Sequence, residues 1–421
     1  MVVKDILQVL YAPHKIFKKI IENPGYLGIF VLILIFVIAR VSFSYVTSSR
    51  LYIEKTMPIG TEGDIWTENV ALWQANPGVV VTANNVDFIN GSQAILGFPD
   101  YYGNNSIKFT ISDSHALEMS LNDLGGQVNC GADGFNELFY RIKIVTPETN
   151  PQNVTLILYS LNGSFFYYDL TVNFVDSLAD VWSNMSIPLG SANWLSNGSP
   201  KWENITGLKM EFDWFDSADI DLSVDGLFFR NNFANQVELA GGILQLIGYA
   251  TFNAFAPFLS YWLALSVLIY IIIKGFKGNV IWRPLMVAVG YALITIVIQS
   301  AIVAAIYTTM PDLYYPLELL AYVPGEFEGA QEVIINQLAN ISMIEYILQF
   351  ATWIWIVGLG TFIVRAITGS KKIAEEIDLG KAALEGTASG ETAEFSWMKC
   401  LLVSGLSMFI TIFILGFLGI T

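Results

Sequence analysis

Cysteine and histidine are almost missing from this chain, at two residues each in 421. Cys130 sits in a polar block and Cys400 at the edge of an apolar run, so no disulfide framework exists and any core must hold by packing. His14 and His115 are equally far apart in character, and no zinc site can be read from them. The H-E-x-x-H, G-x-S-x-G, G-x-G-x-x-G and P-loop patterns are absent too, and neither histidine has an evident nucleophile to activate, so the chain reads as non-enzymatic and without a cofactor. Basic residues are also scarce, 21 against 37 acidic ones. Between Val46 and Gly241 there are 23 acidic and 8 basic residues, which places −15 of the formal −16 in one block. That acidic balance disfavours nucleic acid as a partner, because phosphate binding needs a basic footprint.

Long apolar runs are what the chain does have. Five of them, Tyr26 to Tyr45, Ile243 to Ile273, Leu285 to Tyr307, Ile344 to Ile367 and Trp397 to Ile420, are each long enough as helices to cross about 30 Å of hydrocarbon. Lys4, Lys15, Lys18 and Lys19 precede the first run. Lys274, Lys277 and Arg283 lie between the second and third, and Arg365, Lys371, Lys372, Lys381 and Lys399 at or between the ends of the last two. The connection Thr308 to Ser342 holds no Lys or Arg but five acidic residues. The bias puts the N-terminus and the segments near 274–284 and 366–396 in the cytoplasm. The 308–342 loop, the 47–240 block and the C-terminus then lie outside.

The organisation expected is therefore a cytoplasmic interfacial segment (1–23), a first transmembrane helix (24–46), an extracytoplasmic domain (47–240) and four further transmembrane helices (241–421). Ile16, Phe17, Ile20 and Ile21 make one face of a lead-in broken near Pro13, with Lys15, Lys18 and Lys19 opposite, as in an interfacial anchor or a docking helix. A cleavable signal peptide is disfavoured by the length of the first run. The 371–395 loop has room for one short amphipathic helix. In the 47–240 block the pattern changes to short alternating runs split by Asn, Gly, Asp and Pro, such as Ser106 to Ser112, Ala116 to Leu121, Leu138 to Val145, Val154 to Leu161, Leu208 to Trp214 and Ile220 to Phe229. Eight to ten antiparallel strands predict an all-β sandwich.

Sequons at Asn90, Asn104, Asn153, Asn162, Asn184, Asn197, Asn204 and Asn340 all fall on the predicted outer side, where N-glycosylation would occur. Read from Asp221, the chain matches the first half of an EF-hand calcium loop, with oxygens at Asp221, Ser223 and Asp225 and Gly226 at position 6, but position 12 is Asn232, which leaves the carboxylates of Asp219, Asp221 and Asp225. They are candidate ligands for a structural Ca²⁺ site in a sandwich, or the wet face of a strand. Trp66, Trp73, Trp182, Trp194, Trp202 and Trp214 either fill the sandwich or stack on sugar rings, and Trp194, in a loop, is the candidate exposed glycan contact.

Arg40, inside the first run, either snorkels or pairs within the bundle, or marks an ion pathway. Pro257, one turn after Asn253, interrupts the second run as a packing kink or as a broken helix at a substrate site. Together these three support the alternative function, a small-solute transporter. Small residues at Ala288 and Ala292, Ala301 and Ala305, Gly358 and Gly360, and Gly416 and Gly419 allow close helix approach within the chain or in an oligomer.

The segment Leu10-Tyr11-Ala12-Pro13-His14-Lys15-Ile16-Phe17 through Asn23-Pro24 resembles the lead-in of the Yip (Ypt-interacting protein) domain family. Gly275-Phe276-Lys277-Gly278 followed by Pro284 to Ala292 is similar to that family's loop and third helix, and Trp353 to Arg365 with Ser396 to Leu402 to its last two helices. The resemblance covers about 200 residues and implies a membrane-organising or trafficking protein, some of whose relatives bind small GTPases and sister membrane proteins. The block between the first two runs is an insertion relative to that family. Its ending, Trp202 to Phe212 and Val224-Asp225-Gly226-Leu227-Phe228-Phe229, looks like the final strands of jelly-roll carbohydrate-binding modules. The partners implied are the lipid bilayer, membrane or surface proteins, and glycans.

Overall fold

The computed structural model describes residues 2–88, 101–175, 178–190, 192–323, 325–370 and 395–419. The sequon at Asn90, the residues Lys371, Lys372 and Lys381 and the short helix expected in 371–395 fall outside them. Among these residues, five long apolar helices and one large, mainly antiparallel sheet make up the fold. They form two compact units, Met1–Arg50 with Gln236–Pro311 and Gln337–Thr421, and Leu51–Asn235 with Asp312–Asn336.

In the helical unit, α1 (Val2–Tyr11) and α2 (Pro13–Glu22) are separated at Ala12, where Pro13 supplies the preset φ of a helix start. Ile16, Phe17, Ile20 and Ile21 are buried, and Lys19 pairs with Asp5 at 2.6 Å. The long helices are α3 (Leu27–Arg50), α4 (Ile243–Gly275), a third that bends at Leu293 into α5 (Trp282–Ala292) and α6 (Ile294–Tyr307), α7 (Glu326–Thr368) and α8 (Trp397–Phe417). Helix α7 begins 18 residues before the predicted Ile344. Asn340 and residues 326–342, about half of the expected 308–342 loop, are therefore helical. The polar first turns of α7 hid it, because they lack the hydropathy that marks its apolar part.

Close approaches fix the packing of these helices. Ser404 Oγ donates to the Val357 carbonyl at 2.8 Å, and a Cβ on Gly360 would come within 2.1 Å of that hydroxyl. Gly360 is thus what lets α7 and α8 touch, while a Cβ on Gly358 or Gly416 would meet nothing within 4 Å.

Among the described residues the sheet unit has eleven strands: β1 (Leu51–Met57), β2 (Trp73–Ala75), β3 (Val80–Asn84), β4 (Ser106–Leu121), β5 (Glu137–Thr146), β6 (Asn153–Ser160), β7 (Phe165–Asp169), β8 (Ser183–Pro188), β9 (Leu195–Asn197), β10 (Ile205–Asn235) and β11 (Leu313–Tyr315). Pairs of expected strands turn out to be single long ones: β4 joins 106–112 to 116–121, and β10 joins 208–214 to 220–229. Their polar middles looked like turns in sequence and are irregularities in the ladder, with register shifts between Asp213 and Ile220 opposite Ser114, next to Asp113 at φ 50.

Along one edge β10 meets β4 and then β1; along the other it meets β6 and then β5. Strands β7 and β9 extend from β6, β8 from β5, and β2 and β3 from β4. Side chains from both halves share one apolar core that includes Phe109, Leu158, Met185, Phe212, Leu222 and Phe229. One pairing is parallel, β1 with β11.

Candidate functional site

The segment 312–336, expected to be a free outer loop, belongs to the sheet unit and brings carboxylates to its buried cations. Arg230 on β10 donates from Nε and Nη2 to both oxygens of Glu54 on β1, at 2.8 and 3.0 Å. From Nη1 and Nη2 it also reaches Glu318, at 2.6 and 2.9 Å. Glu54 additionally accepts from the backbone of Asn231 and Leu317, so it caps the short helix Leu317–Ala321. Burial opposes ionisation of Glu318, but its bonds to Arg230 prevail and hold the carboxyl below its ordinary value.

Nearby, Arg141 Nη2 donates to Glu326 at 2.8 Å, and Asn184 Nδ2 donates to the other oxygen of Glu326 at 2.9 Å. Phe139 lies 5.0 Å from each guanidinium carbon, with Tyr102 on Arg141 at 4.6 Å. Tyr101, Tyr102, Phe228, Leu317, Leu320 and Val323 close an apolar cap over the seam. Chemically the arrangement is a clamp: it fastens 312–327 to the sheet face.

A second buried group surrounds Asp64. Its carboxylate accepts from Gly103 N at 2.7 Å and Thr67 Oγ1 at 3.1 Å, and Thr67 Oγ1 in turn accepts from Gly226 N at 3.1 Å. Burial, then the charges of Asp225 and Glu68, push the Asp64 carboxyl well above its ordinary range. An acid raised in this way stabilises the fold while protonated and loses that contribution as pH climbs from about 4 towards its folded value. Replacing Asp64 by Asn should therefore gain stability relative to the natural chain as pH rises from 4 to 7. The difference in urea midpoint, measured across that range, reports it; a pH-independent difference would refute the assignment.

The predicted calcium ligands do not converge. Asp221 pairs with Lys108 at 2.7 Å, Asp219 accepts from Asp113 N at 3.1 Å, and Asp225 is buried beside Asp64. Among the described residues no three His, Cys, Asp or Glu side chains are placed to hold a metal ion. Trp194 is corrected from exposed platform to core: its Nε1 donates to the Pro188 carbonyl at 2.8 Å and its ring packs edge-on to Trp202. A loop position does not make an indole exposed when its N–H finds a backbone partner. Asn104, Asn153, Asn162, Asn184, Asn197 and Asn340 are exposed, and Asn204 is half-buried.

The helical unit brings together Arg40, Asn253 and Pro257, the three residues singled out in its apolar runs. They share the wall of a cavity of about 410 Å³ with Gln299, Ser300, Gln349 and Thr352. Gln299 Nε2 donates to Gln349 Oε1 at 3.3 Å, and Tyr307 donates to Glu345 at 2.8 Å. Arg40 lies over the Phe43 ring at 5.4 Å and makes no hydrogen bond or salt bridge with a described residue. A second cavity of about 460 Å³, lined by Ser44, Thr47, Gln236, Gln245 and Tyr249, meets the first at Asn253. Gln299 and Gln349 were missed in sequence, although a lone Gln inside a long apolar run is itself a signal.

No protein-family model and no curated protein matches the chain. Among solved structures it is similar to an exo-β-agarase, at 9% identity over 39% of this chain and 24% of that one, TM-score 0.29. It is also similar to a family 30 carbohydrate-binding module, at 10% identity over 37% of this chain and 75% of that one, TM-score 0.26. A third is the CBM22-1 xylan-binding domain of Xyn10C from Paenibacillus barcinonensis, at 16% identity over 42% and 91%, TM-score 0.22. The chain spans about a quarter of the agarase's length.

Proposed function

We propose that this chain is a non-enzymatic, five-span integral membrane protein of Yip-like type, and that it organises membrane partners through an extracytoplasmic, jelly-roll-like β-sandwich that recognises protein or glycan. The observation that carries the reading is the outward face of the helices. In the apolar windows of the five long helices only 33% to 56% of residues are buried. Side chains such as Phe30, Phe350, Phe409 and Phe413 stand 63% to 70% exposed. Contiguous apolar surface of that kind is unfavourable in water and natural in lipid. The basic connectors on one side and the exposed sequon asparagines of the sheet unit support the same orientation.

Protease and glycosidase added to sealed, right-side-out vesicles should cut the sheet unit or shift its mobility and leave the connector 274–284 intact. Glycopeptide mapping should find Asn153, Asn162 and Asn197 occupied more than Asn184, whose Nδ2 is already engaged by Glu326. Amine cross-linking in native membranes should then retain a protein or glycan neighbour through the sheet unit. Cleavage confined to the basic connectors would end the proposal.

A further inference from the structure

Among the described residues, Arg40 is a cation with no hydrogen-bond or salt-bridge partner, in a cavity where an unpaired charge is expensive. Arg40 is thirteen residues into α3 and ten from its end, hence about 20 Å from the Leu27 end and about 15 Å from the Arg50 end. Asn253 lies about 15 Å from the Ile243 end of α4, and Gln299 about 12 Å from the Tyr307 end of α6. All three thus sit at one depth, in the outer half of a bilayer on the membrane reading just proposed, on which this inference rests. An Arg at such depth persists when it faces a partner or a water-filled space.

Glu345 attracts Arg40 electrostatically, but it is not within salt-bridge distance and already takes the Tyr307 hydroxyl. On the walls of the same cavity, Gln299, Gln349, Ser300 and Thr352 supply groups that both donate and accept. Pro257 has no N–H, so the carbonyl four residues back, that of Asn253, loses its helical partner at the same level. A cation unpaired among the described residues, sharing a space of about 410 Å³ with neutral hydrogen-bonding groups, is suited to a small anion bearing polar substituents. The adjoining cavity, one and two turns beyond Arg40 at Ser44 and Thr47, provides polar groups along the way to the outer end.

We propose that this cavity binds an anion, a phosphate or carboxylate, carried either on a lipid headgroup or on a small solute, with Arg40 as the charge partner and Gln299 and Gln349 orienting the rest of the ligand.

The test uses the full chain. In one arm it is reconstituted in nanodiscs of phosphatidylcholine with added phosphatidylglycerol, and retained lipid is read by native mass spectrometry. In the other, inorganic phosphate or acetate is titrated into the detergent-solubilised protein and the thermal midpoint followed. Lipid retention or an anion-dependent rise in midpoint, reduced at least tenfold in affinity by Arg40→Gln and less by Arg40→Lys, supports the proposal, and the responding arm names the source. Gln349→Leu, which keeps the charge and removes the amide, should weaken the same response several-fold and serves if Arg40→Gln does not fold. No response in either arm, or a response that Arg40→Gln (Gln349→Leu where Arg40→Gln does not fold) leaves at the level of the natural chain, overturns the proposal. Failure of the membrane reading would show separately, as extraction of the natural chain by alkaline carbonate.

Discussion

Arg230→Met is expected to destabilise the sheet unit by about 3–5 kcal/mol, the usual cost of leaving a buried charge without its partner. Glu54 is 2% exposed, and its two oxygens take Arg230 through Nε and Nη2. Removing the guanidinium strands that carboxylate and also releases Glu318. Arg141→Met should cost about 1 kcal/mol or less by comparison. Arg141 is itself buried, but its partner Glu326 has a side chain 28% exposed and can turn to water, and one guanidinium nitrogen, Nη1, has no hydrogen-bond partner among the described residues. The double variant Arg230→Met, Glu54→Met should recover most of the loss, since an apolar pair of similar volume replaces an ion pair at little net cost. Pulse proteolysis of the reconstituted protein in urea measures all three. Equal losses at Arg230 and Arg141 would show that burial of the partner is not what sets the cost.

The same seam explains what could and could not be read beforehand. Hydropathy alone located the five long helices to within a few residues at most ends, because lipid-length apolar runs need no tertiary information. It failed at α7, whose first 18 residues hold Glu326, Glu328 and Glu332 and are helical without being apolar. Period-two alternation marked the middle strands β5 and β6. It missed β1, which directly follows an apolar run, and β11, which has three residues and needs β1 to exist. Glu318 and Glu326 read as solvated loop charges, since nothing local shows that Arg230, 88 residues away, and Arg141, 185 residues away, lie against them. In the helical unit Arg40 and Asn253 were legible one by one and Gln299 and Gln349 were not; that all four share one cavity follows only from how four helices pack.

Phe212→Ala is the second large effect expected, about 3–5 kcal/mol, as for other fully buried aromatic rings cut to a methyl. Phe212 is completely buried on β10 between β4 and β6, edge-on to Phe174 at 5.6 Å and stacked on Trp214 at 6.1 Å. Its neighbours belong to the sheet core alone, whereas the helices have their own apolar cluster around Phe17, Phe258 and Leu285. With no disulfide to restrain the unfolded sheet unit, the loss has nothing to offset it. Two cores without shared residues should melt as two transitions, so Phe212→Ala should lower the one reported by cleavage in 51–235 and leave the helical one in place. Gly360→Leu, which forces α7 away from Ser404, should do the converse. A single transition shifted equally by both variants would mean that the units unfold as one, and the sheet unit could not then be treated as a module displayed by an independent bundle.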